Sequence, residues 1–204
     1  MKFLTALVLA STTLLASCGG GGGGGGTVGP SCFDGVKAST TPNPQVTMVT
    51  SKGTFVVELY PLNAPLSVAN FLQYVTDGFY KDKIFHRVIS NFVVQGGGYT
   101  ASLVEAPTRA PIKLEVCNGL SNTRGTIAMA RTGVLDSATS QFYINVVDNT
   151  SLDTNGGGYA VFGKVVSGLE VVDAIKSVPT QTITNFGGDV PITPITITSA
   201  TKTQ

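Results

Sequence analysis

The apolar residues of this chain come in short runs that alternate with polar residues and are separated by glycine, asparagine, aspartate and proline. This texture is typical of a β-rich globular domain, because successive side chains of a strand point to opposite faces of its sheet. Residues 46–50 and 54–59 alternate about Ser51, Lys52 and Gly53, which predicts a β-hairpin. Further strands are predicted at 84–88, 92–95, 112–114, 126–130, 141–146 and 160–166, and a last strand at 192–197.

Two segments carry the spacing of an amphipathic helix instead. Pro65 stands at a first helical turn, apolar residues follow at helical spacing up to Val75, and Gly78 supplies a stop. Residues 167–170 have the form of a capping box and open a second helix that ends before Pro179. Many short strands with one early and one late helix predict a mainly β domain, a closed antiparallel barrel capped by the helices.

The charge of the chain is nearly balanced. Thirteen Lys and Arg stand against 12 Asp and Glu, for a formal net charge of +1. This gives no electrostatic footprint for a phosphate backbone or an anionic membrane surface, so we expect no nucleic-acid partner. The 204 residues have room for one domain with a core that is stable without a metal or dense disulfides.

The N-terminal segment differs in composition from the rest. Lys2 precedes an apolar run over residues 3–15, which is too short to span a bilayer but has the length of the apolar region of a secretory signal. Residues 15–18, Leu-Ala-Ser-Cys, resemble the bacterial lipobox, in which the cysteine, here Cys18, receives diacylglycerol before cleavage. An ordinary signal peptide with an incidental cysteine is the alternative. The glycine run over residues 19–26 favours the lipobox, because glycine is costly to order and suits a tether beside an anchor.

These features divide the chain into three parts. We expect a lipoprotein signal peptide at 1–17, a lipidated cysteine with a glycine-rich tether and N-terminal extension at 18–44, and one domain at 45–204. The mature protein would then face the periplasm of a bacterial cell envelope, held to the membrane by its lipid. Gly19 rather than Asp follows Cys18, which by analogy with lipoprotein sorting in some bacteria favours the outer membrane.

The cysteines suggest one disulfide. If a lipid occupies Cys18, the three cysteines of the chain leave Cys32 and Cys117 as a pair, and exported chains meet an oxidising compartment. Cys32 lies in a polar extension with little apolar surface for docking, whereas Cys117 lies in a predicted loop. A disulfide between them would pin the extension to the domain. Two independent thiols are the alternative.

The most unusual string covers residues 85–98, Phe-His-Arg-Val-Ile-Ser-Asn-Phe-Val-Val-Gln-Gly-Gly-Gly. It resembles the signature of the cyclophilin-type peptidyl-prolyl cis/trans isomerases, in which Phe-His-Arg is followed by a Phe and then by Gln-Gly-Gly. The resemblance continues, in family order and with family-like spacing, through residues 122–131, 140–145, 152–153 and 159–165. It covers the chain from about Val46 to its end, and several ordered blocks are far more specific than one Gln-Gly-Gly.

The resemblance implies an eight-stranded barrel and an isomerase that accelerates rotation about X-Pro bonds during the folding of exported proteins. That rotation meets a barrier of about 20 kcal/mol, because the amide loses its conjugation, and no bond is made or broken. The reaction needs a dry pocket for the proline ring and a fixed hydrogen-bond donor, and it needs no metal or cofactor. An always-charged guanidinium suits that role, so we expect Arg87 to be the catalytic residue.

The resemblance also implies the substrate-binding residues. Gln95 is the amide that binds the substrate backbone, and Arg131 pairs with the peptide through its own backbone. His86 is a buried, hydrogen-bonded residue that orients the site rather than a proton shuttle. Two departures trim the pocket wall, since Ser151 stands where many members carry an aromatic residue and Val93 stands where Met is common. The positions carried over are His86, Phe92, Val93, Gln95, Ala130, Arg131, Gln141, Phe142, Leu152 and Tyr159.

Other interpretations stay open at this point. Arg87 could form a surface salt bridge, Gln95 could bond within the barrel, and the apolar positions could be plain core. A hydrolase built on His86 lacks a nucleophile with its usual context, and the triple glycines lack the Lys-Ser/Thr of a phosphate loop. A proline-peptide-binding module or holdase without significant turnover is the main alternative function, and a lipid-anchored structural relic is a third. The expected partners are unfolded or partly folded proline-containing polypeptides, bound by a monomer.

Overall fold

Eight antiparallel strands close into a barrel in the computed structural model, which describes residues 32–184 and 186–204. The barrel order is β1-β10-β3-β4-β6-β5-β7-β2, and β8 pairs with β9 in a separate hairpin. The strands are β1 Gln45–Thr50, β2 Gly53–Leu59, β3 Lys83–Val88, β4 Val93–Thr100, β5 Thr126–Met129, β6 Phe142–Asn145, β7 Val161–Ser167, β8 Thr180–Ile183, β9 Gly187–Pro191 and β10 Ile195–Lys202. The helices are α1 Pro65–Thr76 and α2 Leu169–Lys176, and 3₁₀ turns cover Thr150–Asp153 and Asn155–Gly157.

The predicted fold class is confirmed: the domain is mainly β, an eight-stranded antiparallel barrel with two helices. The core fills the barrel and extends to both helices. On α1, the buried Phe71 ring packs against Phe142 and Phe162 at centroid distances of 5.7 and 5.3 Å. On α2, Val172 and Ile175 are buried in the same cluster. Both helices therefore belong to the barrel's single hydrophobic core.

The sequence-based strand at 112–114 is wrong. Ile112 makes one isolated bridge with Ala138. Two residues further on, the backbone N–H of Leu114 donates to the Asp136 carboxylate at 2.9 Å instead of to the carbonyl of a neighbouring strand. A side chain thus replaces the ladder partner, and the segment stays irregular.

Other details also differ from the prediction, and β4 and β10 run on to Thr100 and Lys202, beyond the predicted ends at 95 and 197. The last strand begins at Ile195 rather than 192, because Ile192 donates its N–H to Pro179 and Pro194 has no N–H to give. The predicted capping box at 167–170 does not form. Gly168 is the N-cap of α2 in a left-handed conformation, with φ of 78°, and no side chain caps the helix.

The described part of the N-terminal extension contacts the domain at Cys32 and Gly35. Cys32 and Cys117 form a disulfide in the structure, with their Cα atoms 4.2 Å apart. Beside it, Gly35 donates its N–H to the Gly119 carbonyl at 2.7 Å, and Gly119 donates to the Cys32 carbonyl at 2.9 Å. The signal segment, Cys18 and the glycine run lie outside the described residues. In the described part of the chain, no helix is long and apolar enough to cross a membrane.

Candidate active site

One row of paired residues crosses the strands that carry the family-like blocks. Arg87 on β3 pairs with Gln95 on β4, and Gln95 pairs with Tyr143 on β6. Tyr143 pairs with Ala128 on β5, and Ala128 pairs with Val161 on β7. Because directly paired residues in antiparallel strands project to the same face, this row forms one continuous surface.

Arg87 reaches this row because of a bulge in β3. The register shifts between Phe85, which pairs with Gly96, and Arg87, which pairs with Gln95. One extra residue, His86, therefore lies in β3 opposite no partner. In a regular strand without the bulge, residues 85 and 87 would share one face, and Arg87 would point with Phe85 into the barrel core, where Phe85 is fully buried. The bulge redirects the guanidinium outward, as bulges often do beside functional sites.

The Arg87 side chain is half-buried, and its guanidinium carbon lies 6.0 Å from the centre of the Phe92 ring. The ion pairs of the described residues join Arg109 to Asp77 and join Arg124 and Lys176 to Asp173, so none involves Arg87. The surface salt bridge considered as an alternative is therefore not formed. The guanidinium keeps donors that can meet a ligand at this surface.

Two glutamines continue the polar edge of the site. Gln95 donates from Nε2 to Oε1 of Gln141 at 3.1 Å, and among the described residues no hydrogen bond reaches the Gln95 side-chain oxygen, which can therefore act as an acceptor. Gln141 packs directly on Gly98, where a Cβ atom would lie 2.5 Å from its Cγ. A larger residue at position 98 would push the Gln141 side chain away from Gln95. The third glycine of the Gln-Gly-Gly-Gly string is thus required by close approach.

The wall of the site is a second apolar cluster, separate from the barrel core. Its buried members include Val93, Ala130, Tyr143 and Leu152, and Phe92, Leu120 and Tyr159 pack against it half-exposed. The Tyr143 and Tyr159 rings meet edge to face with centroids 6.0 Å apart. Ser151, next to Leu152, is exposed and adds no ring to this wall. The structure thus brings together Arg87, Phe92, Val93, Gln95, Ala130, Arg131, Gln141, Leu152 and Tyr159.

The assignment of Phe142 to the pocket is wrong. Its ring is fully buried in the barrel core, 6.0 Å from Phe85 and 5.5 Å from Tyr80. The residue that lines the wall is its neighbour Tyr143, which the sequence reasoning missed. Strand alternation could have found it, because Gln141 and Tyr143 share one face of the strand and Phe142 must take the other.

The assignment of His86 to substrate binding is also wrong. The ring is 6% exposed and packs edge-on against Tyr99 and Phe186, at 4.7 and 6.2 Å. Its Nδ1 atom is buried without a hydrogen-bond partner among the described residues. His86 therefore lies behind the polar edge of the site, packed on Tyr99, whose hydroxyl interacts with Gln141.

His86 should make the stability of the protein depend on pH. Burial, and then the nearby Arg87 charge, lower the pKa of His86 from 6.5 to about 4, against a hydrogen bond with the Ile84 backbone. The unfolded chain binds the proton more readily, so the free energy of unfolding rises with pH from about 4 to 6.5 and is level above. The full difference is roughly 3 kcal/mol.

Urea unfolding at pH 7.0 and pH 4.5 measures this effect. We expect the wild type to lose roughly 2–3 kcal/mol more than His86→Phe between these two pH values. Both proteins share every carboxylate, so the variant corrects for their titration. Equal losses in the two proteins would show that His86 is not the group responsible.

A buried polar network holds the wall from below. Asp153 accepts the Asn122 N–H and side-chain amide, both at 2.8 Å, and the Ser121 hydroxyl. The Asn122 side-chain oxygen accepts the Tyr143 hydroxyl at 2.7 Å. A related amide, Asn149, donates to the Phe92 carbonyl at 2.8 Å. These bonds fix the orientation of the Tyr143 ring and the backbone of Phe92.

Comparison with known proteins assigns a family to this arrangement. The sequence model described as cyclophilin type peptidyl-prolyl cis-trans isomerase/CLD matches residues 45–202. A peptidyl-prolyl cis-trans isomerase of Acinetobacter baylyi is 51% identical over 166 residues, covering 80% of this chain and 88% of that protein. Peptidyl-prolyl cis-trans isomerase B of Escherichia coli is 47% identical over 164 residues, covering 78% and 99%.

Solved structures agree. A cyclophilin type peptidyl-prolyl cis-trans isomerase of Cryptosporidium parvum superposes with a TM-score of 0.66 at 26% identity, covering 79% of this chain and 98% of that chain. A structure of the same protein in the presence of the dipeptide Ala-Pro gives 0.65 at 26% identity, with 78% and 99% covered. Because the match extends over most of the chain at close to half identity, the chain belongs to the cyclophilin type peptidyl-prolyl cis-trans isomerase family.

Proposed function

We propose that this protein catalyses cis/trans isomerisation of X-Pro bonds in unfolded or partly folded polypeptides. The observation that carries the proposal is the row of Arg87, Gln95 and Tyr143. It sets a guanidinium that forms no ion pair among the described residues at the edge of an apolar wall. The Ala-Pro dipeptide named with the Cryptosporidium structure supports proline-containing peptides as the ligand class.

The geometry suits rotation about an amide without covalent chemistry. The wall formed by Phe92, Tyr143 and Leu152 can hold the proline ring away from water, which weakens solvation of the planar amide. The Gln95 carbonyl oxygen can accept an N–H of the peptide backbone. Arg87 can donate to the proline carbonyl and favour the twisted amide, whose nitrogen lone pair is no longer delocalised.

This mechanism transfers no proton. His86 is uncharged at neutral pH and buried away from the wall, so it is not an acid or base in the site. A useful enzyme needs about 10⁵-fold acceleration, which corresponds to about 7 kcal/mol of tighter binding to the twisted amide than to either planar isomer. The fixed donor and the desolvated ring pocket share that difference.

A protease-coupled assay with an Ala-Pro-containing tetrapeptide tests the proposal. The protein should shorten the slow isomerisation phase in proportion to its concentration, whereas a binding module would slow the phase or leave it unchanged. A slow phase unaffected at micromolar protein would refute turnover.

We also propose that the protein works on exported clients while held to the outer membrane by lipid on Cys18. Two features of the sequence support this proposal, the Leu-Ala-Ser-Cys string at residues 15–18 and the glycine run after it. The disulfide of Cys32 with Cys117 ties the chain after this run to the domain. Thirteen residues separate Cys18 from Cys32. At about 3.3 Å per extended residue, they can keep the site clear of the bilayer surface.

The anchor gives a direct prediction. In the native host, the mature chain should begin at Cys18, carry a diacylglycerol mass and sediment with membranes, because an acylated cysteine partitions into lipid. Cys18→Ser should release the chain to the soluble fraction or leave its signal uncleaved. Cys117→Ser serves as the matched cysteine control and should stay with the membranes. A wild-type mature chain that is unlipidated and freely soluble would contradict the anchor.

A further inference from the structure

The Arg131 side chain is committed to backbone carbonyls of one loop. Its Nε donates to the Gly158 carbonyl at 3.1 Å, and its Nη2 donates to the carbonyls of Gly156 and Gly158 at 2.5 and 2.8 Å. Its Nη1 donates to the Thr132 carbonyl at 2.9 Å. The family resemblance assigns a role only to the backbone at this position, so these four bonds need a separate explanation.

The loop is built so that its carbonyls can meet a guanidinium. Gly156, Gly157 and Gly158 all have positive φ, at 62°, 92° and 86°. A Cβ atom at Gly158 would lie 2.6 Å from the Asp153 carbonyl, and one at Gly157 would lie 2.5 Å from the Leu135 side chain. Residues other than glycine would strain this path or clash there. The glycines let the chain turn its carbonyls toward Arg131.

The same guanidinium also holds a ring of the pocket wall. Its central carbon lies 4.5 Å from the centroid of Tyr159, within the range of a cation–π contact. Tyr159 follows the glycine loop directly and donates its N–H to the Leu152 carbonyl at 3.0 Å. Its ring then meets Tyr143 in the wall. Arg131 therefore fixes both the loop that delivers Tyr159 and the ring itself.

No ion pair accounts for the placement of Arg131. The acidic partners in the ion pairs of the described residues are Asp77 and Asp173, and neither pairs with it. Ordering a long arginine side chain costs conformational entropy. Here that cost is offset because the planar guanidinium donates to the carbonyls of both Gly156 and Gly158. A lysine cannot reproduce this geometry.

We infer that Arg131 is a positioning residue for the isomerase site, which closes the 156–158 loop and holds Tyr159 as a wall of the proline pocket. The inference rests on the proposed function. Arg131 contacts no reacting atom in this arrangement, since its donors are used on the protein backbone. Its loss should therefore weaken binding of the peptide and leave the rotation step in the bound complex nearly unchanged.

Steady-state kinetics and calorimetric binding of the Ala-Pro tetrapeptide test this with Arg131→Gln and Arg131→Lys. We expect Arg131→Gln to raise KM about tenfold and to change kcat by less than about twofold. This is the pattern for a contact that stabilises the bound substrate and the transition state equally. Arg131→Lys keeps the charge but not the planar set of donors, so its KM should lie between those of the wild type and Arg131→Gln. The matched control is Arg109→Gln, because Arg109 is exposed and paired with Asp77.

A double-mutant cycle identifies the route of the effect. If Arg131 acts through Tyr159, Tyr159→Ala should raise KM by a similar factor, and adding Arg131→Gln should raise it no further. The inference would be overturned if the KM of the double variant rose by the product of the two single effects. It would also be overturned by a fall in kcat at constant KM, or by an unchanged KM in both Arg131 variants. The calorimetric Kd follows the same pattern without turnover. An inactive wild type would thus refute the proposed function and leave the positioning role to be decided by binding.

Discussion

Arg87→Ala should lower kcat/KM for prolyl isomerisation by about 10²–10³-fold, the usual cost of removing one preorganised donor from a transition state. The loss should appear mainly in kcat, since the donor is used most fully when the amide is twisted. Stability should hardly change. Arg87 forms no ion pair in the described structure, and its nearest ring contact, with Phe92, is 6.0 Å from the guanidinium carbon.

The design compares Arg87→Ala with Arg87→Lys and Arg109→Ala. Lysine restores a charge but not a planar set of donors, so Arg87→Lys should recover only part of the activity. Arg109→Ala removes a surface arginine that is paired with Asp77 and should leave kcat/KM unchanged. Unchanged near-ultraviolet circular dichroism shows that each variant is folded. An Arg87→Ala protein within a few-fold of wild type would remove Arg87 from the mechanism.

The parts of the fold that the sequence predicts are those fixed by local patterns. The hairpin about Ser51 to Gly53 follows from alternation and turn chemistry, and the structure pairs β1 with β2 in that register. The helix after Pro65 follows from apolar spacing and a stop at Gly78, and α1 ends at Thr76. Barrel closure was predictable because many short strands without crossover helices leave edges that must be paired.

The errors lie where long-range contacts decide. Residues 112–114 carry a strand-like sequence, but Asp136, far along the chain, takes the N–H that a ladder would need. The β8–β9 hairpin was not predicted, because β8 has mostly exposed residues and no alternation between buried and exposed positions. Phe186, just before β9, packs against His86, and no local sequence pattern predicts this contact.

The site shows the same division. The motif blocks predict Arg87, Gln95 and Leu152 as site residues, and the structure brings these residues to one surface. A motif does not show which face of a strand each of its residues occupies, however. The choice of Phe142 over Tyr143 ignored the period of two within β6. The role of the Arg131 side chain could not be inferred, because it depends on carbonyls 25 and 27 residues away.

Reduction of the Cys32–Cys117 disulfide should lower the free energy of unfolding by about 2–4 kcal/mol, the usual range for a bridge that closes a long loop. The two cysteines are 85 residues apart. Loop-closure entropy alone would assign roughly 4–5 kcal/mol to such a loop. We expect less, because the extension is a tail whose ordering opposes part of this gain.

Contacts beside the disulfide explain why the extension should stay docked when it is oxidised. Asn63, which is 4% exposed, donates its amide to the carbonyls of Gly35 and Asn118 at 3.0 and 2.7 Å and accepts the Lys37 N–H at 3.0 Å. The disulfide holds these partners near Asn63, and without it their local concentration falls. Asn63→Ala should therefore destabilise the oxidised protein more than the reduced one.

Thiol alkylation and urea unfolding together decide the matter, on protein in which Cys18 is lipidated or replaced by serine. The oxidised, denatured chain should take up no label, and the same chain should take up two labels after reduction. The urea midpoint should fall on reduction in this protein and stay constant in a Cys32→Ser, Cys117→Ser control, whose midpoint should match that of the reduced form. Two labels before reduction would rule the bridge out, and a midpoint unmoved by reduction would show that the bridge ties down the extension without stabilising the barrel.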